Sequence, residues 1–190
     1  MTTAVITHRI ARSSRLAAVA LVVAAAALTA VAAQGRIHLG FTPVPITGQT
    51  FAVLLTGAAL GWRLGAAGQL LYVAAGIAGA PVFSDGRSGW EVMTGATGGY
   101  IVGFAFAAAL IGRAAERGHD RRFGSMALAF LAGSAVIYVF GVTGLMASTG
   151  MTPGDAIARG VAPFVMGDLV KAVAAGVLLP GAWKVLDGRR

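Results

Sequence analysis

At 190 residues the chain has the length of one ordinary soluble domain, but 57% of it is hydrophobic and only 12% is charged. Soluble domains run nearer about 45–50% and 25%, so the sequence is read as an all-α integral membrane protein. The absence of cysteine excludes disulfide scaffolds, Cys-ligated zinc, iron–sulfur clusters and thiol nucleophiles. The net charge of +8 has to be tested against membrane topology before any other meaning is given to it.

The first apolar segment, about 16–33, follows three arginines and ends near Ala30-Val31-Ala32. That pattern also suits a secretory signal peptide with its cleavage site. A run of about 18 apolar residues exceeds the usual 7–15 of such a peptide, so it is read as a retained transmembrane helix. Small residues recur within it at Ala20 and Ala24.

Next comes Pro43-Val44-Pro45-Ile46-Thr47-Gly48-Gln49-Thr50. The two prolines break any helix and free backbone groups that protein or a cavity must satisfy. Gln49 offers a donor and an acceptor, and Thr47 and Thr50 add hydroxyls. Thr47 could equally serve as a plain helix N-cap. Segments two and three are predicted at about 46–61 and 64–80. The former is short for a span, and short, Gly- or Pro-interrupted spans point to transporter binding sites.

The loop of about 81–97 carries Phe83 and Trp90, and Tyr100 opens segment four, predicted at about 98–112. These rings could close an aromatic-lined pocket. Trp90 and Tyr100 could equally be interfacial anchors, and Tyr72, mid-way along segment three, reads more readily as packing. Glycines spaced by four, at 57, 61 and 65 and again at 95, 99 and 103, suit either close helix packing or a smooth groove for another membrane protein.

The charged run Arg113–Arg122 separates segment four from segment five, about 123–146. Segment six, about 161–185, contains Asp168 and Lys171. At a spacing of three they face one side of a helix. Ionisable groups inside a span are costly and turn toward the protein interior or a wet cavity. Asp168 can accept from N–H donors, and Lys171 can hold a carbonyl or carboxylate. A mutual ion pair that merely pins the helix is the plainer alternative.

Lys and Arg set the orientation. With the N-terminus in the cytoplasm, eleven fall inside: Arg9, Arg12, Arg15, Arg63, Arg113, Arg117, Arg121, Arg122, Lys184, Arg189 and Arg190. Only Arg36, Arg87 and Arg159 fall outside. This bias predicts six spans in one domain over 1–190, with both termini cytoplasmic. The basic balance is thus topology and implies no nucleic acid.

No catalytic residues are expected. Neither lysine stands in a phosphate-binding GxxxxGK[ST] loop, and there is no GxSxG elbow or HExxH helix. His8, His38 and His119 have no metal-ligand spacing. The sequence therefore implies neither a metal nor a cofactor.

Taken in order, Pro43-Val44-Pro45-Ile46-Thr47-Gly48-Gln49-Thr50, Gly79-Ala80-Pro81-Val82-Phe83, Gly95-Ala96-Thr97-Gly98-Gly99-Tyr100 and Gly167-Asp168-Leu169-Val170-Lys171 resemble the BioY biotin transporters. These are substrate-binding (S) components of energy-coupling factor (ECF) vitamin importers. The resemblance runs over nearly the whole chain, with one departure at Ala96, where the family usually has proline.

The resemblance implies a compact S-component bundle in a bacterial cytoplasmic (inner) membrane, binding biotin beneath its outer loops. Together with the residue chemistry above, it makes Asp168, Lys171, Gln49, Thr47, Tyr100, Phe83, Tyr72 and Trp90 the expected substrate contacts. The implied partners are a transmembrane coupling (T) component, docking at Ala20 and Ala24, and two cytoplasmic ATPase subunits. The alternatives are a solo biotin carrier working as a homo-oligomer and an S component for another vitamin. A non-transporting membrane scaffold and an intramembrane enzyme are weaker rivals.

Overall fold

The computed structural model describes residues 14–187. Arg9, Arg12, Arg189 and Arg190, counted above on the inner side, lie outside the described residues, as does His8. The helices are α1 (Arg15–Gln34), α2 (Gln49–Ile77), α3 (Trp90–Thr94), α4 (Gly98–Glu116), α5 (Phe123–Thr149), α6 (Pro153–Gly160) and α7 (Ala162–Asp187). Two short strands, β1 (Arg36–Ile37) and β2 (Ile46–Thr47), pair antiparallel between α1 and α2, with Arg36 opposite Thr47.

Among the described residues, five helices are long and apolar enough to cross a membrane, where the sequence predicts six spans. The difference lies in α2, which joins predicted segments two and three into one element. It is not straight. Gly61 has φ 82° and ψ 174°, a conformation open essentially to glycine alone.

The chain reverses at that residue. Gln49 Nε2 donates to Tyr72 Oη at 2.8 Å although 23 residues separate them, a distance of about 35 Å along a continuous helix. A Cβ placed on Gly65 would stand 2.7 Å from Gly57 Cα. The element is therefore a helical hairpin with arms over 49–60 and 62–77.

The spaced glycines serve this packing. A Cβ on Gly57 would meet the Ala108 carbonyl oxygen at 2.7 Å, and one on Gly99 would meet the Phe140 carbonyl oxygen at 2.3 Å. These glycines bring helix backbones together inside the bundle and form no outer groove. The hairpin packs along α4, α4 against α5, α1 against the hairpin, and α5 against α7.

A buried polar ladder supports the α1 contact. Thr29 Oγ1 donates to Gln69 Oε1 at 3.2 Å, and Gln69 Nε2 donates to Thr56 Oγ1 at 3.4 Å. It ties α1 to both hairpin arms, and in hydrocarbon such groups must find protein partners.

Arg63, Arg113 and Arg121 gather at one end of the bundle. Arg63 and Arg113 each lie 5.2 Å from the Trp62 ring at the hairpin tip, within cation–π range. In the turn between α4 and α5, Asp120 is fully buried and accepts from Trp183 Nε1 at 2.5 Å. Burial pushes the Asp120 carboxyl above its ordinary range, and the Trp183 bond and neighbouring Arg121 and His119 only partly offset it.

The opposite end carries the long connections. The β1–β2 hairpin is held by an Arg36–Asp85 ion pair and by Thr42 Oγ1 donating to the Arg159 carbonyl at 2.8 Å. These contacts draw the loops before α2, before α4 and before α7 into one cap. The predicted loop of about 81–97 contains a short helix of its own, α3. Ala96, in the proline position, packs half-buried against the core.

Candidate functional site: a polar cluster in an apolar cavity

Beneath that cap lies a cavity that is partly open to solvent. Its walls come from Val44, Pro45 and Thr47, from Gln49 and Thr50, and from Phe83, Ser84 and Val92. Thr97, Tyr100, Ile101 and Phe104 add the α4 side, Tyr138 comes from α5, and Phe164, Asp168 and Lys171 come from α7. Most of the lining is apolar, with the charged groups concentrated on α7.

Asp168 and Lys171 are three residues apart and form an ion pair, Nζ to Oδ1 at 3.0 Å. The Asp168 side chain is only 4% exposed and that of Lys171 22%. Lys171 Nζ also donates to Thr50 Oγ1 at 2.6 Å and to the Thr47 carbonyl at 3.3 Å. Its three N–H donors are thus matched by three acceptors. On the other side, Tyr138 Oη donates to Asp168 Oδ2 at 2.7 Å.

The helix-breaking Pro43-Val44-Pro45 stretch explains the Thr47 contact. Because Gly48 precedes the first turn of α2 and Ile46–Thr47 is extended, the Thr47 carbonyl is not used by a helix and faces the lysine. The result is a buried donor and acceptor, side by side, with no net charge. Such a pair can read a ligand group that itself presents an N–H next to a C=O.

The predicted residues divide into three sets. Asp168, Lys171, Thr47, Gln49, Tyr100 and Phe83 all line the cavity. Tyr72 stands behind this wall: it is buried, accepts from Gln49, and packs edge-on against Phe83 with ring centroids 5.4 Å apart. Tyr72 thus positions two lining residues. Trp90 is 64% exposed and is not among the lining residues, so its ring belongs to the surface.

Tyr100 ties α4 to the end of α6, its Oη donating to the Gly160 carbonyl at 2.8 Å. Gly141 makes room for its ring, since a Cβ there would stand 2.3 Å from it. Ala20 and Ala24 lie on the exposed face of α1, away from the cavity. Among the described residues no group of three His, Cys, Asp or Glu side chains is placed to hold a metal.

Tyr138 and Ser84 were not foreseen. A signal for Tyr138 did exist, because a tyrosine hydroxyl in the middle of a predicted span must find a partner. Tyr138→Phe leaves Asp168 Oδ2 without its donor and is expected to destabilise the protein by about 1–3 kcal/mol. Thermal unfolding in detergent measures this, and an unchanged midpoint would show that Asp168 does not depend on the bond.

The BioY family model matches residues 4–188 of this chain. The chain is 35% identical over 161 residues to the biotin transporter BioY of Rhizobium etli, covering 81% of this chain and 86% of that one. It is 39% identical over 160 residues to a probable biotin transporter BioY of Pyrococcus horikoshii, covering 84% and 92%. A crystal structure of the S-component for biotin from an ECF-type ABC transporter matches with a TM-score of 0.80, over 92% of this chain and 95% of that one. Identity there is 23%, so the likeness is one of fold. This chain belongs to the BioY family, and it is a multi-pass membrane protein.

Proposed function

We propose that the protein binds biotin in this cavity and carries it across the cytoplasmic membrane as the S component of an ECF-type importer. The observation that carries the reading is the Asp168–Lys171–Thr50–Tyr138 cluster set into an otherwise apolar cavity. Biotin has a ureido ring, with N–H donors beside a carbonyl, fused to an apolar thiophane. The ureido edge suits the adjacent carboxylate and ammonium, and Phe83, Ile101, Phe104 and Phe164 suit the ring faces. The family is one of transporters, and the chain is no enzyme.

In this reading the hairpin arms of α2 count as two spans, which gives six with α1, α4, α5 and α7. The end holding Arg63, Arg113, Arg121 and Lys184 faces the cytoplasm, as do both termini. The capped cavity then opens outward.

Energy comes from a T component and two cytoplasmic ATPases. The T component docks on α1, whose outer face exposes Ala20 and Ala24 and permits close helix approach. Ala24→Trp, or Ala20→Trp, should abolish most biotin uptake in cells containing the T component and ATPases while leaving binding by the purified protein unchanged. Normal uptake by either variant would contradict docking at this face. Undiminished uptake by the unaltered protein in a host without those partners would contradict ECF dependence itself and favour a solo carrier.

A further inference from the structure

Ser84 lines the same cavity but takes no part in the Asp168 cluster. It is 7% exposed, and its Oγ is buried without a hydrogen-bond partner among the described residues. The side chains of Thr47, Gln49, Thr50, Tyr100, Tyr138 and the Asp168–Lys171 pair are bonded within the protein. A hydroxyl buried unpaired is unfavourable by itself, so it marks a place where a partner arrives from the cavity.

Its surroundings indicate the partner's charge. Ser84 heads a short turn (Ser84–Gly86), and Arg87 Nε donates to its carbonyl at 3.4 Å. The next residue, Asp85, holds Arg36 and lies 3.4 Å from His38 Nε2. Two arginines against one carboxylate leave this turn cationic, whereas the Asp168–Lys171 pair is neutral. An anionic ligand group is therefore favoured beside Ser84 over the α7 cluster.

We infer that the Ser84 hydroxyl is a second specificity-determining contact, donating a hydrogen bond to the carboxylate of the bound ligand. This rests on the reading that the cavity binds biotin, whose valerate tail supplies that carboxylate. Asp168 and Lys171 hold the ring end, and Ser84 reads the tail.

Ser84→Ala tests this with two ligands, biotin and its bicyclic urea without the tail, each titrated by calorimetry into purified protein. Biotin affinity should fall about tenfold, the loss of one charge-assisted bond, while affinity for the tail-less urea stays within twofold. The ligand-free variant should unfold no earlier than the unaltered protein, since it loses only an unpaired hydroxyl. Equal biotin affinity in the two proteins would overturn the inference, and so would an equal loss for both ligands. If the unaltered protein binds no biotin, the functional reading itself fails, an outcome distinct from either.

Discussion

Lys171→Ala and Asp168→Asn should each weaken biotin binding by about 2–4 kcal/mol, or roughly 30- to 1,000-fold. In the first variant the Asp168 carboxylate, 4% exposed, keeps only hydroxyl donors from Tyr138 and Thr50. In the second the Lys171 ammonium loses its counter-charge, and the new amide turns a donor toward one of its neighbours. Breaking one side of a buried pair costs more than the pair itself contributes, because the remaining charge is stranded. Calorimetric titration of both purified variants measures this, and near-native affinity in each would reduce the pair to a pin between helices.

Gly61→Ala should lower stability by about 1–3 kcal/mol, the usual cost of forcing a side chain into backbone reserved for glycine. Gly61 is where the hairpin reverses, and the turn is closely covered. A Cβ on Gly112 of α4 would stand 2.5 Å from the Gly61 carbonyl carbon, so the turn has little room to relax. Gly124→Ala serves as the control, since nothing lies within 4 Å of a Cβ there. A thermal midpoint in detergent that drops for Gly61→Ala and not for Gly124→Ala is the expected result. Equal midpoints would mean that the reversal does not need glycine.

Much of the fold was legible because the membrane punishes polar groups severely. Apolar runs long enough to span announced α1, α5 and α7, a shorter run announced α4, and Arg63 marked the boundary that the structure resolves into the α2 reversal. The same cost exposed Asp168 and Lys171, since an unpaired charge has no place inside an apolar run. The glycine spacings were ambiguous because close approach to a neighbouring helix and close approach to a partner protein demand the same small residues. Only the contacts of Gly57, Gly65 and Gly99 separated the two.

What escaped was direction. Trp90 and Phe83 lie seven residues apart in one loop and carry similar chemistry, yet Phe83 is fully buried and Trp90 stands out. A ring of either kind suits a pocket or an interface, and loop sequence carries no periodicity to decide between them. Ser84 was hidden for a related reason. A serine in a Gly-rich loop normally bonds its own backbone, and only its burial beside the cavity without a partner distinguishes it. Tyr72 was placed correctly along the chain, but its action through Gln49 and Phe83 depends on a hairpin that linear spacing does not reveal.

The most direct test is whether the protein, expressed without partners and purified in detergent, retains and rebinds biotin in the presence of thiamine and riboflavin as competitors. The account predicts selective biotin binding that neither competitor displaces. Folded protein that binds no biotin, or that gives it up to either competitor, would contradict it.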